Sequence, residues 1–92
     1  MKVTTQAVTK GGTATTTWTQ LGSYYGKRAS AFIQNTGAEA LYVSVTDPDV
    51  VDDINLATPI QPGEWWEPYR APVGEIAVAT AALTTDYVYL ID

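Results

Sequence analysis

Residues 28–46 read RASAFIQNTGAEALYVSVT, and this stretch decides the fold. Ala29, Ala31 and Ile33 alternate with Ser30, Phe32 and Gln34. Leu41, Val43 and Val45 then take every second position of residues 39–46. A period of two is the signature of a strand with one buried face. Between the two runs lies Asn35-Thr36-Gly37, whose Asn and Gly accept left-handed backbone at low cost and so read as a turn. The pair is expected to form a hairpin.

Outward from this pair, the same reading yields more strands and no helix. Towards the N-terminus, Thr-rich residues 3–8 and 14–21 read as strands around a Gly11-Gly12 turn. Gly-Gly supplies the positive φ angles that a tight hairpin needs. Towards the C-terminus, residues 54–60 make a short strand or a descending loop, limited by Pro59 and Pro62. Residues 64–69 make a strand that, by Pro68, either sits at an edge or ends there. Residues 75–81 alternate Ile76, Val78 and Thr80 with Ala77 and Ala79, and residues 86–92 set Tyr87, Tyr89 and Ile91 opposite Val88 and Leu90. The segment TAALTT has room for one helical turn. Seven or eight short strands at roughly 8- to 12-residue intervals predict an all-β sandwich, jelly-roll or immunoglobulin-like, with a small barrel as the alternative.

The 92 residues form one domain by length. Residues 1–23 are set apart as a Thr-rich basic segment, either an attachment arm or one more pair of strands. The chain has no Cys and no His. That removes disulfides, thiolate nucleophiles, imidazole bases and the commonest zinc ligands together. No apolar run approaches 18 residues and no basic-then-apolar leader precedes the first strand, so neither a membrane span nor a signal peptide is expected. The protein is expected to be made in the cytoplasm of its host.

Charge is divided along the chain. Lys2, Lys10, Lys27 and Arg28 precede every acid, whereas the remainder holds all ten acids against Arg70 alone. The basic segment is expected to lie across the acidic body of its own subunit or of a neighbour. Nucleic acid is not an expected partner, because phosphate recognition needs clustered cations on the body itself.

Three groups of residues could carry chemistry. Asp47, Asp49, Asp52 and Asp53 offer hard oxygen ligands of the kind Ca²⁺ takes, but they lack the twelve-residue loop and terminal Glu of an EF-hand, and a solvated turn fits them better. Glu64 and Glu67 flank Trp65 and Trp66, yet acids three apart on a strand point to opposite faces and cannot straddle one glycosidic bond. No enzymatic activity, cofactor or metal is expected. The aromatic residues are the third group. Trp65 and Trp66 are adjacent, so one faces the core and the other faces away. Trp18, Tyr24, Tyr25 and Tyr69 add to the aromatic surface. An exposed Trp beside Tyr69 and Arg70 is of the type that anchors protein interfaces or stacks on a sugar ring. The candidate interface residues are Trp18, Lys10, Lys27, Arg28, Trp65, Trp66, Tyr69 and Arg70.

The order of five motifs carries a resemblance. They are Ile-Gln-Asn-Thr-Gly (33–37), Leu-Tyr-Val (41–43), Pro-Gly-Glu-Trp-Trp (62–66), Gly-Glu-Ile-Ala-Val (74–78) and a last strand with an acidic end (87–92). This order, over about two-thirds of the chain, resembles small virion proteins of tailed bacteriophages of the capsid-decoration or head-fibre type. The resemblance implies a β-sandwich assembled as a homotrimer on the virion surface, with the major capsid protein or other virion proteins as partners. The Thr-rich basic N-terminus departs from that pattern. Other readings are a receptor- or carbohydrate-binding module of a phage tail or fibre, a neck or tail component, and a phage-encoded inhibitor of a host protein.

Overall fold

Eight short strands form two sheets, each with an inner row of largely apolar side chains that must be covered. The computed structural model describes residues 10–22, 30–47, 50–68 and 74–91. The strands are β1 (Lys10–Ala14), β2 (Thr19–Gly22), β3 (Ala31–Asn35), β4 (Leu41–Thr46), β5 (Thr58–Ile60), β6 (Trp65–Trp66), β7 (Glu75–Ala79) and β8 (Thr85–Ile91). One sheet, here sheet A, has the order β1-β8-β3-β6, and sheet B has the order β2-β7-β4-β5. All pairings are antiparallel.

The order has a simple logic. Each of the first four strands pairs with its counterpart counted from the other end: β1 with β8, β2 with β7, β3 with β6 and β4 with β5. The chain is thus one long ribbon, folded back on itself between β4 and β5 and rolled so that the pair β3·β8 completes sheet A and the pair β4·β7 completes sheet B. This is a jelly roll, so the sandwich expectation holds and the barrel alternative does not.

The core lies between the sheets. Ile33, Leu41, Ile76 and Val78 are fully buried there with Ala14, Ala31, Val43, Ile60 and Tyr87, and Leu21, Trp66, Tyr89 and Ile91 pack against them. β7 is central in sheet B and buried along almost its whole length, which is why Ile76-Ala77-Val78-Ala79 reads as a continuous apolar run. Val45 differs from the expected alternation: it ends the inner row of β4 and is 42% exposed.

Several local expectations are corrected. Gly11 and Gly12 are not a turn but lie within β1, opposite Val88 and Tyr87. A Cβ on Gly12 would come within 2.8 Å of the Tyr87 hydroxyl, so glycine here makes room for a buried ring. The expected strand 14–21 is broken: Ala14 ends β1 in sheet A and Thr19 begins β2 in sheet B. The corner between them is held by Thr15, whose hydroxyl accepts the Thr17 N–H at 3.2 Å and whose carbonyl accepts the Thr80 N–H at 2.8 Å. The expected strand at residues 3–8 lies outside the described residues. β3 and β4 are not a hairpin, since they belong to opposite sheets and the Asn-Thr-Gly segment carries the chain across. Residues 80–84 are bend rather than helix, with the Thr80 hydroxyl donating to the Leu83 carbonyl. β5 and β6 are shorter than expected and both are edges, consistent with Pro59 and Pro68.

Asn35 explains the crossing. It is fully buried. Its Nδ2 donates to the carbonyls of Glu39 at 2.6 Å and Ile60 at 2.9 Å, and its Oδ1 accepts the Thr85 hydroxyl at 2.8 Å and the Gly37 N–H at 3.1 Å. All four hydrogen-bonding positions of the amide are used. Its backbone N–H donates to Glu64 and its carbonyl accepts from Gly63, at 3.0 and 2.9 Å. Residues 61–64 form a tight turn, with the Glu64 N–H donating to the Gln61 carbonyl at 2.9 Å and Gly63 at φ 84°. That is the type II arrangement, with Pro at its second position and Gly at its third. The Asn-Thr-Gly and Pro-Gly-Glu motifs, far apart in sequence, therefore dock on one another.

Candidate interaction surface

Register fixes which side chains share a face, because residues directly opposite one another point the same way. Trp66 pairs with Ile33, whose side chain is in the core, so Trp66 points inward and packs there. Trp65 pairs with Gln34, points outward and is 61% exposed. The adjacent tryptophans thus divide as expected, and Trp65 is the surface member.

The row through Trp65 crosses the whole of sheet A. Gly11 on β1 faces Val88 on β8, Val88 faces Gln34 on β3, and Gln34 faces Trp65 on β6. In the next row Leu90 faces Phe32. Val88, Leu90, Phe32 and Gln34 are each partly exposed. Among the strand residues of this face the single charge is Asp86, whose carboxylate accepts the Thr13 hydroxyl at 2.7 Å at one end of the sheet. The result is an uncharged apolar band with an exposed indole, in a chain whose net charge is −5. Charge depletion together with an aromatic residue is the composition of an interface core.

The outer face of sheet B is different. Ser44, Ala77 and Ala79 point outward yet are buried. Residues 47–57, which join β4 to β5, bring Val51, Asp52, Asp53 and Ile54 to a cavity of about 490 Å³ shared with Ala79, Thr80 and Trp18. The small outward side chains of β7 let this loop lie close. Its far end is a tight turn in which the Asp53 carboxylate accepts the Asn55 N–H at 2.9 Å and the Asp53 carbonyl accepts the Leu56 N–H at 3.0 Å.

The expected interface residues therefore do not form one surface. Trp65 lies on the outer face of sheet A, Trp18 lines the cavity over sheet B, Trp66 is inside, and Lys10 is exposed at the start of edge strand β1. Lys27, Arg28, Tyr69 and Arg70 lie outside the described residues. Of the acid cluster, Asp49 is also outside them. Asp47 and Asp53 are exposed and Asp52 is partly buried. Among the described residues no three acidic, His or Cys side chains gather as a metal site, and no helix is long and apolar enough to cross a membrane.

Sequence reasoning missed Phe32, Gln34, Val88 and Leu90 as surface residues. Their alternation was visible, but only register with Ile33 and Tyr89 tells which phase faces out. No protein-family description, curated protein or solved structure matches the chain.

Proposed function

We propose that the chain is a virion structural protein of a tailed bacteriophage that binds the capsid shell and decorates or stabilises it as a homotrimer. The observation that carries this reading is the uncharged band Val88–Gln34–Trp65 with Phe32 and Leu90 across sheet A. An acidic chain repels its own copies least through a band without charge, so this band is where copies meet. Two further points support it. Two of the five motifs behind the resemblance to decoration proteins, Asn-Thr-Gly and Pro-Gly-Glu, dock at Asn35. The jelly roll is also a frame of viral capsid domains. No catalytic role is proposed.

The direct test is co-sedimentation with phage capsids from which the protein has been omitted. The expected result is saturable binding in multiples of three copies; chain that stays in the supernatant at tens of micromolar would refute the role. A second reading is favoured by one observation: Trp65 stands with Gly63 and Glu64 around an open cavity of about 420 Å³, and an exposed indole beside an acid suits a sugar ring. On that reading the chain is a carbohydrate- or receptor-binding module of a tail or fibre, and glycan binding abolished by Trp65→Ala would favour it over decoration.

A further inference from the structure

The outer face of sheet B carries a trough with an aromatic residue at each end. Register builds it. Tyr42 on β4 faces Ala79 on β7, and Thr19 on β2 faces Val78, which sets Trp18, one residue earlier, in the row of Ala79. Leu41 and Val43 belong to the core, so Tyr42 between them points outward, and Ala79 opposite it does the same. Two aromatic residues thus flank an alanine, two strand spacings or about 9.5 Å apart. The space that the alanine leaves open is continuous. A cavity of about 490 Å³ has Trp18, Ala79, Thr80 and Ala81 in its walls, and one of about 180 Å³ has Tyr42, Thr80 and Ala81. The two share Thr80 and Ala81 and so adjoin.

The lining sets the chemistry of what fits. Asp52 and Asp53 border the larger cavity and Glu39 the smaller, and no Lys or Arg is among the described residues that line either. An anionic ligand would meet repulsion there. Asp53 is exposed and accepts the Asn55 N–H with one carboxylate oxygen, which leaves the other for a ligand hydroxyl. Thr16, also exposed in the lining, adds a hydroxyl that both donates and accepts. An extended peptide fits less well. β7, the strand under the trough, is paired with β2 on one side and β4 on the other, so its backbone groups are spent within the sheet and a peptide's own would go unmatched. A ligand with flat C–H faces and many hydroxyls meets both halves of the lining: rings to lie against, and carboxylate and hydroxyl groups to bond.

We propose that this trough binds a neutral oligosaccharide, with one sugar ring on Trp18, its hydroxyls bonded by Asp53 and Thr16, and another on Tyr42. The site lies on the outer face of sheet B, away from the band of sheet A and from Trp65, so it does not depend on how copies of the chain assemble.

The test titrates the full-length chain with chitotriose, cellotriose and maltotriose and follows the indole N–H resonances of its three tryptophans, assigned by their loss in Trp18→Phe and Trp65→Phe. The expected result is a saturable shift of the Trp18 resonance by at least one of these sugars, with Trp65 unmoved. For that sugar, Tyr42→Ala should weaken binding about 10-fold, the loss of one ring contact, and Ala79→Leu, which fills the floor of the trough, should abolish it while circular dichroism shows the fold retained. A Trp18 resonance unmoved by all three sugars at millimolar concentration would overturn the site. A shift confined to Trp65 would overturn it in favour of the cavity beside Gly63 and Glu64. A Trp18 shift with tetralysine and with none of the sugars would overturn it in favour of a cationic peptide, and an affinity unchanged in Tyr42→Ala would overturn the two-ring arrangement.

Discussion

Sheets A and B are built from the same alternation, yet their outer faces differ in what covers them. On sheet B the outward residues of β7 are small, Ala77 and Ala79, with Tyr42 of β4 opposite Ala79, and residues 51–54 of the connection between β4 and β5 border Ala79. On sheet A the outward residues are large and uncharged, Phe32, Val88, Leu90 and Trp65, and the connection beside them, residues 61–64, is a tight turn that folds onto Asn35 instead. The difference follows from the roll. The ribbon reverses between β4 and β5, both in sheet B, so its reversing loop falls on that sheet. Side-chain size then differs between the face that the reversing loop borders and the face that it does not.

The largest effect is expected where both faces depend on one residue. Asn35→Ala leaves the Glu39 and Ile60 carbonyls, the Thr85 hydroxyl and the Gly37 N–H without their buried partner, at a cost of about 3–5 kcal/mol. Against a total of about 5–14 kcal/mol for a domain of this size, thermal unfolding should begin well below that of the parent. Gly37→Ala should behave similarly, since its Cβ would sit 2.5 Å from the Asp86 nitrogen.

The adjacent tryptophans sharpen the comparison. Trp66→Ala opens a gap against Ile33 and should cost about 3 kcal/mol in denaturant unfolding. Trp65→Ala should change stability of the monomer by no more than about 0.5 kcal/mol. Equal losses would mean that Trp65 also supports the core. On the other sheet, Ala79→Leu overfills the space beneath the loop and should cost about 1–3 kcal/mol. It should also raise amide exchange across residues 50–57 while leaving solution mass unchanged.

The smallest effect concerns pH. Burial, and secondarily the neighbouring Tyr89, hold the Tyr87 phenol above its usual range. The folded state therefore favours the neutral phenol. This contribution is intact below the unfolded value of about 10 and is lost as pH rises from there through the raised folded value. The urea midpoint of Tyr87→Phe should fall less than that of the parent across this alkaline window.

Strands were legible in the sequence because period-two alternation survives wherever one face is buried, as in Ile33, Leu41, Val43, Ile76 and Val78. Pairing was not legible. A jelly roll joins the first strand to the last, and nothing local to Asn35-Thr36-Gly37 distinguishes a hairpin turn from a crossing between sheets. The distinction lies in Asn35, whose partners Ile60 and Thr85 are 25 and 50 residues away. Gly11-Gly12 misled for the same reason, since the ring that needs the missing side chain of Gly12 belongs to Tyr87. At the candidate surface, the opposition of Trp65 to Trp66 could be read from adjacency alone, but the choice between them required the register with Ile33. The acid cluster was visible as charge; that Asp52 and Asp53 line a cavity with Trp18 was not.

The central claim, that the uncharged band across sheet A joins copies of the chain, is tested most directly by light scattering coupled to size exclusion on the parent and on Val88→Lys. The parent should have three times the 9.9 kDa chain mass. Val88→Lys, which places a charge in the middle of the band, should have the mass of one chain while keeping the parent's far-ultraviolet circular dichroism. A parent of one-chain mass at tens of micromolar, or a Val88→Lys variant that stays trimeric, would contradict it.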